Sequence, residues 1–264
     1  MRRDSIRLEE RRFESAHIEK LEDYPAFHER HRVFPAVFEE RNHRKILDVA
    51  GGMGVVGKRI QNYYDAQVIC NDISPKCLKT MQHLGLTAVS FDIDDDDGGF
   101  PFSDNCFDAV IALATVEHVI HLDHFLTEIR RILQHDGFFY LSAPNYSGIP
   151  YLLPFLLTGK TFHDPLSEPS RYEFYAHVRY FTYRTLLEFV SSFGFHPDSV
   201  YLPLPESSSR YQELRAKSKS KALGFRYLMK GIYTILSPRW ASEPIICFKN
   251  APKGRVNKIR KVVL

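Results

Sequence analysis

Residues 46–57 read ILDVAGGMGVVG, a short apolar run that leads through an acid into a glycine-rich turn. An apolar strand that turns through glycines into a helix is typical of nucleotide-binding α/β domains. Gly52, Gly54 and Gly57 match the GxGxxG spacing, and Asp72 follows at a distance that suits a ribose hydroxyl pair. An NAD-binding Rossmann oxidoreductase is therefore one interpretation of this stretch.

Asp48, inside the same stretch, favours a different ligand. A dinucleotide places its pyrophosphate against the glycine turn and the helix N-terminus, where a nearby carboxylate would repel it. S-adenosylmethionine has no phosphate, and its methionyl part carries an ammonium and a sulfonium group. An acid beside a turn that lets the backbone approach closely suits these positive charges. The residues thus favour S-adenosylmethionine over NAD.

Short β-branched runs alternate with helical stretches from residue 46 to about 143. This alternation predicts an α/β fold, a Rossmann-like doubly wound seven-stranded sheet that is mostly parallel. The expected strands, with an antiparallel pair at the end, are 45–50, 67–72, 88–93, 107–113, 137–144, 198–203 and 243–249. Apolar residues at helical spacing predict a helix over 122–133, and a second over 182–195 that ends at Gly194.

The chain divides into two expected parts, a helical N-terminal segment at 1–44 and the α/β domain at 45–264. Within the domain, prolines and many aromatic residues over 145–180 predict a cap above the site. Residues 204–240 form a basic helical insertion in this interpretation. The basic stretches at 215–236 and 249–264 are interpreted as solvated surface that could also contact a membrane surface.

The composition of the 264-residue chain is ordinary for a globular protein, with 44% hydrophobic residues, 25% charged residues and a net charge of +3. Its four cysteines form no CxxC pair, which predicts a reducing compartment. The N-terminus lacks the apolar core of a signal peptide, and the apolar run at 149–157 is too short to span a bilayer. We therefore expect a cytoplasmic protein with no transmembrane segment.

Four motifs in order resemble those of the class I S-adenosylmethionine-dependent methyltransferases that act on small molecules, methyltransferase type 11-like. They are ILDVAGGMG (46–54), NDISPKCL (71–78), FDIDDDDGGFPFSDNCFDAVIALATVEHV (91–119) and EIRRILQHDGFFYLSAPN (128–145). The resemblance covers residues 40–145 well and residues 177–195 more loosely. It implies methyl transfer as the activity and S-adenosyl-L-methionine as the cofactor.

The resemblance also implies cofactor-binding residues at the strand ends, namely Asp48, Ala50, Gly52, Gly54, Asp72, Ile73, Asp92, Ile93 and Ala114. In the family's pattern Asp48 organises the methionyl end and Asp72 accepts hydrogen bonds from the ribose hydroxyls. Asp92 takes the adenine amino group, and Ala114 lines the methionyl side. Ala50 departs from the pattern, since the family usually has glycine there, and a slightly altered turn is expected.

Three residues are candidates for catalysis. His118 follows the fourth strand beside the expected methyl donor, so it could serve as a general base or as a packing element of the fold. His177, in the cap, and Tyr146, after the fifth strand, are further candidates.

No metal site is expected from the sequence. Asp94–Asp97 is a run of like charges, which is more typical of a solvated loop than of cation ligands. His118, His121 and His124 follow one another at helical spacing, but no acid or cysteine at matching spacing completes a zinc set.

The acceptor is expected to be a small molecule, apolar or lipid-linked, because the cap is rich in aromatic residues. A nucleic-acid methyltransferase is an alternative that only the basic tail favours. The fourth strand runs IALATVEH and lacks the NPPY-type sequence of many enzymes that methylate base amino groups. A catalytically inactive cofactor-binding protein is a third interpretation, against which Asp48, Asp72 and Asp92 argue.

Overall fold

The computed structural model describes residues 29–160, 166, 174, 176–206, 209–251 and 258–264. The strands in these residues are β1 (Lys45–Asp48), β2 (Gln67–Asn71), β3 (Thr87–Val89), β4 (Phe107–Leu113), β5 (Leu133–Ser142), β6 (Phe195–Leu202), β7 (Ile245–Asn250) and β8 (Arg260–Val263). They form one sheet in the order β3-β2-β1-β4-β5-β7-β6-β8. Strand β7 runs antiparallel to β5 and β6, and the other pairs are parallel.

Helices connect and flank these strands. Those in the described residues are α1 (Glu29–Arg32), α2 (Val55–Tyr63), α3 (Pro75–His83), α4 (Leu122–Ile132), α5 (Ile149–Thr158), α6 (Tyr183–Ser192), α7 (Ser209–Lys217) and α8 (Lys219–Ile235). Short 3-10 turns lie at Ala36–Phe38 and Pro238–Trp240. None of these helices is long and apolar enough to cross a bilayer.

The predicted mostly parallel, Rossmann-like fold is confirmed, and predicted strand 107–113 coincides with β4. Strand β3 is shorter than predicted and stops at Val89. The chain turns beyond it, and the carboxylate of Asp92 accepts a hydrogen bond from the backbone N–H of Asp94 at 3.1 Å. An Asp that bonds the backbone two residues later favours a turn over a strand.

The number of strands is a correction, because the sheet has eight strands instead of seven. The additional strand, β8, lies in the basic stretch that was interpreted as surface, and it pairs in parallel with β6. Arg260 at its start forms an ion pair with Glu39. This strand was missed from the sequence because the stretch is highly charged, and lysine and arginine can occupy the exposed side of an edge strand.

The central strands are buried on both faces of the sheet. Leu47 packs into one apolar cluster together with Phe125 of α4, while its neighbour Ile46 packs into the opposite cluster with Phe34 and Phe38. These side chains are fully buried. Full burial of one such side chain contributes roughly 1.5–3 kcal/mol. The two-sided burial explains why β1 reads as a continuous apolar run.

The N-terminal segment and the cap are only partly described. Within 29–44, helix is limited to α1 and the turn at Ala36–Phe38, and residues 1–28 lie outside the described part. Helix α5 and residues 177–180 belong to the expected cap, most of 161–175 lies outside the description, and α7 and α8 fall in the expected insertion. The proposed boundaries at 1–44, 145–180 and 204–240 remain predictions.

Candidate functional site

The candidate site lies at the carboxyl ends of β1, β2 and β4. Strand β1 lies between β2 and β4, so the chain order of the sheet reverses beside it. Ligands of open α/β sheets bind in the crevice at such a reversal, outside the carboxyl ends of the strands. The residues that follow these three strands are therefore the ones to inspect.

The glycine-rich turn after β1 has a left-handed backbone. Ala50, Gly52 and Gly54 have φ values of +50°, +58° and +80°. A Cβ on Gly54 would lie 2.6 Å from Leu86 Cδ1, so this glycine is required by space as well as by φ. Ala50 adopts the conformation expected of the family's glycine, at a cost of about 1–2 kcal/mol for a residue with a Cβ.

Asp48 is a buried carboxylate at the base of this turn. Its side chain is 3% exposed, and Oδ2 has no hydrogen-bond partner within the described part of the chain. Burial raises the pKa of Asp48 to about 7, the Gly57 backbone N–H opposes this shift, and the neighbouring Asp72 adds to it. An orphaned carboxylate oxygen of this kind is satisfied by a cationic or hydrogen-bond-donating ligand.

Asp72, at the end of β2, connects the glycine turn to helix α3. One carboxylate oxygen accepts a hydrogen bond from Gly52 N at 2.9 Å, and the other accepts from Ser74 N at 2.8 Å. Ser74 is the N-cap of α3, so Asp72 also supports a helix start. A carboxylate oxygen can accept more than one hydrogen bond, so these contacts are compatible with ribose hydroxyls as further donors. Ile73 follows Asp72 directly at this edge.

Asn71, which the sequence interpretation missed, ties two loops of the site together. Its side chain is buried and donates to Phe91 O at 3.0 Å. Its Oδ1 accepts from Ala50 N at 3.4 Å. Its role could not be assigned from the sequence, because it is visible only once β2 lies between β1 and β3.

Asp92 and Ile93 lie in the loop after β3. Both are half-buried, and Ile93 packs against the apolar cluster that contains Leu47. The next residue, Asp94, accepts hydrogen bonds from the backbone N–H groups of Ile120 and His121 at 2.9 and 2.7 Å. Asp94 thus holds the start of α4 against this loop, whereas Asp95–Asp97 are exposed as expected of a charged loop.

Ala114, after β4, is the second alanine of the site with a left-handed backbone, at φ +50°. Its N–H donates to Ser142 O at 3.0 Å and to Ser142 Oγ at 3.3 Å. Ser142 Oγ in turn donates to Glu243, which forms an ion pair with Arg30 at 2.6 Å. Sequence reasoning missed this chain of contacts, because its members come from three distant parts of the chain.

The three catalytic candidates meet in space. The rings of His118 and His177 are 4.7 Å apart between centroids. Tyr146 Oη lies 3.4 Å from His177 Nδ1. His118 Nδ1 donates to Ala176 O at 3.0 Å, which leaves its Nε2 as the nitrogen with the lone pair in the neutral ring. We call these three residues, with Glu117, the His118 cluster.

Comparison with known proteins agrees with this geometry. A family model for a methyltransferase domain matches residues 47–141, which span β1 to β5. Over these residues the chain is similar to a methyltransferase domain, and this match supports the expected class I S-adenosylmethionine-dependent methyltransferase family. Its S-adenosylmethionine site fits the residues present, since the orphaned Oδ2 of Asp48 lies at the turn where a methionyl ammonium is expected. The NAD interpretation is set aside.

Individual relatives match over part of their length. Ajmaline N-methyltransferase of Rauvolfia serpentina is 34% identical over 98 residues, which are 35% of this chain and 33% of that protein. A ubiquinone/menaquinone biosynthesis C-methyltransferase of Acidiphilium cryptum is 28% identical over 114 residues, 41% of this chain and 45% of that protein. The chain therefore spans less than half the length of these curated relatives.

A solved structure is similar in fold to a larger part of this chain than the curated relatives match. A methyltransferase of Thermotoga maritima, described as a possible histamine N-methyltransferase, superposes with a TM-score of 0.58 at 13% identity. The superposition covers 86% of this chain and 91% of that chain. At this identity the likeness concerns the fold alone.

Proposed function

We propose that the protein transfers a methyl group from S-adenosylmethionine to a small acceptor that is apolar or lipid-linked. The observation that carries the proposal is Asp48, a buried carboxylate with an orphaned oxygen beside a left-handed glycine turn. When bound, S-adenosylmethionine supplies a sulfonium methyl that bonds to the acceptor atom as the C–S electron pair returns to sulfur, leaving S-adenosylhomocysteine.

The chain's own residues position the donor. Asp48 would face the ammonium group, which lowers its pKa from about 7 back toward the usual range of an acid. Asp72 would accept from the ribose hydroxyls while it holds Gly52 N in place. Asp92 and Ile93 would contact the adenine. Because these groups are already held by hydrogen bonds or packing, little ordering is left for the binding step.

The acceptor would approach from the side of the His118 cluster. His118, His177 and Tyr146 present imidazole and phenol groups together, and they are the proposed acceptor-side residues. Alignment of the acceptor atom with the methyl carbon and exclusion of water then supply most of the acceleration. The acceptor's proton leaves to solvent or to a group of this cluster.

Helix α5 supports the apolar or lipid-linked nature of the acceptor. It reads IPYLLPFLLT and contains no buried residue. Leu156 and Leu157 are 69% and 74% exposed. A row of exposed leucines beyond Tyr146 is an unusual feature that fits a long apolar tail or a membrane surface. The four cysteines are free thiols, which supports the proposed cytoplasmic location.

Calorimetry with S-adenosylmethionine, S-adenosylhomocysteine and NAD tests the donor half of the proposal. We expect binding of the two methionine-derived ligands and none of NAD. Binding of NAD alone, or of none of the three by a folded sample, would contradict it.

Transfer of a radiolabelled methyl group tests the acceptor half. Phenol and amine acceptors with and without a prenyl tail are compared, and the tail should lower KM. The double variant Leu156→Ser/Leu157→Ser should raise KM for the prenylated acceptor by at least about tenfold, because burial of one leucine contributes roughly 1.5–3 kcal/mol and tenfold corresponds to about 1.4 kcal/mol. Leu228→Ser, an exposed leucine of α8, is the matched control. Label in RNA or DNA and none in small molecules would support the nucleic-acid alternative instead.

A further inference from the structure

We propose that Glu117, His118 and His177 form a binding site for one divalent transition-metal ion. One nitrogen from each imidazole and one carboxylate oxygen lie within 4.8 Å of one another. Glu117 is 1% exposed and His177 is 8% exposed, so the group is largely shielded from solvent. Two imidazoles and one carboxylate are a recurring ligand set of catalytic zinc and non-haem iron sites.

The backbone holds the two parts of this site together. Val178 N donates to Glu117 O at 2.9 Å, so the segment that carries His177 lies along the loop after β4. The Arg179 guanidinium donates to Val119 O and, at 2.5 Å, to Ile120 O. His177 is therefore held beside His118 by main-chain contacts that are independent of the imidazoles themselves.

The hydrogen bonds of the imidazoles leave nitrogens suited to a metal. Because His118 Nδ1 donates to Ala176 O, the lone pair of the neutral ring is on Nε2. His177 Nδ1 lies 3.4 Å from Tyr146 Oη, which leaves Nε2 as its ligand atom. Metal-binding histidines usually donate their other ring N–H to a carbonyl or another oxygen, which fixes the ring and its tautomer.

The spacing requires a modest contraction on binding. Ligand atoms about 2.0–2.1 Å from a tetrahedral ion are about 3.4 Å apart. The ligand atoms all lie within 4.8 Å of one another, so each separation exceeds this value by at most about 1.4 Å. Three protein ligands leave a fourth position open for water or for an oxygen or nitrogen of a bound molecule. Nitrogen ligands favour Zn²⁺, Fe²⁺ or Co²⁺ over Ca²⁺ and Mg²⁺.

The sequence predicts no metal site and argues against His118, His121 and His124 as a zinc set, and in the structure the last two have other partners. His121 Nδ1 donates to Asp94 O, and His124 Nε2 donates to Gly98 O. The completing ligands come instead from the adjacent Glu117 and from the cap. Metal binding takes the lone pair of His118 and so replaces its hypothetical role as a general base.

Titration with Co²⁺ or Zn²⁺ tests the site on the full chain, stripped with a chelator beforehand. We expect one equivalent to bind, and the Co²⁺ form to show visible d–d absorption typical of low coordination numbers. Glu117→Gln and His177→Gln should weaken binding by at least about 100-fold, and Tyr146→Phe by about 10-fold, since outer partners of metal ligands are worth about 10–100-fold.

The controls separate this site from other metal-binding groups. Asp95–Asp97 is an exposed acidic group, and Asp95→Asn/Asp96→Asn/Asp97→Asn should bind the ion as wild type does. S-adenosylmethionine binding of each variant shows that its fold is intact and is measured separately, so failure of metal binding is distinct from failure of the proposed methyl transfer.

Binding that survives His177→Gln, that disappears in the Asp95–Asp97 variant, or that is absent from wild type would overturn the proposal.

Discussion

Replacing Asp48 by Asn should change how the stability of the ligand-free protein depends on pH. Burial raises the pKa of Asp48 from 3.8 to about 7 in the folded chain. Between these values the folded state retains a proton that the unfolded state has released. The free energy of unfolding therefore falls as pH rises from about 4 to about 7 and levels off above that.

The magnitude follows from the size of the shift. At 1.36 kcal/mol per pK unit, ionisation of Asp48 lowers the free energy of unfolding of the ligand-free protein by about 4 kcal/mol at high pH. About 2–3 kcal/mol of this decrease occurs between pH 5 and pH 8. Asn has nearly the same shape and does not ionise. The variant should therefore gain stability relative to wild type by about 2–3 kcal/mol across this range.

Urea unfolding of both proteins at several pH values between 5 and 8.5 measures the difference. Comparison of the two proteins cancels other titrating groups, among them the buried His43, whose pKa burial lowers to about 4. Asp95→Asn, at an exposed carboxylate, serves as the control and should give a constant difference. Parallel stability curves for wild type and Asp48→Asn would refute the reasoning.

The same variant should bind S-adenosylmethionine more weakly. A hydrogen bond to a charged group contributes about 1.5–3 kcal/mol, so the dissociation constant at pH 8 should rise by about 10- to 150-fold. A variant that is more stable without ligand and binds the donor more weakly would identify Asp48 as a carboxylate kept for binding at the expense of stability.

Four further substitutions test individual parts of the site and one glycine outside it. Asp72→Ala should weaken S-adenosylmethionine binding by about 1–3 kcal/mol through lost hydrogen bonds, and an unchanged dissociation constant in calorimetry would exclude Asp72 from the site. Ala50→Gly should raise the free energy of unfolding by up to about 1 kcal/mol, because glycine adopts a positive φ without strain. Gly85→Ala, at φ +73° in open space, should lower the free energy of unfolding by about as much. Urea unfolding measures both changes. Gly57→Ala should destabilise by about 1–3 kcal/mol, because its Cβ would lie 2.4 Å from Cys70 Sγ; an unchanged thermal midpoint would contradict this.

Local sequence patterns were sufficient to locate the strands and the glycine turn at which the donor site is proposed. Apolar runs marked β1 and β4 because strands of a parallel sheet are buried on both faces. The glycines of the sequence marked the turn between Ala50 and Gly54, where the backbone has positive φ. The acids at the ends of the strands lie together because the carboxyl ends of parallel strands form one edge of the sheet. Each of these signals lies within a few residues of the feature that it predicts.

The remaining features depend on contacts between distant residues. The sequence named His118, His177 and Tyr146 separately, and only the packing of 177–180 against the loop after β4 brings them together. Asn71 lies in the motif at 71–78 but has no role in the family's pattern as given above, and Glu243 lies in no motif, so their contacts with the site had no local signal. Strand β8 was missed because edge strands carry charges and resemble surface segments.

The contacts from Arg30 through Glu243 and Ser142 to Ala114 matter for how substitutions in this protein are interpreted. A change at Arg30 or Glu243 should alter the backbone at Ala114, which is proposed to line the methionyl side, although neither residue belongs to the cofactor motifs. A mutational scan scored only by turnover would rank both among the residues that touch ligand. Measuring donor affinity and stability on the same variants separates residues that contact the ligand from residues that hold the contacting backbone in shape.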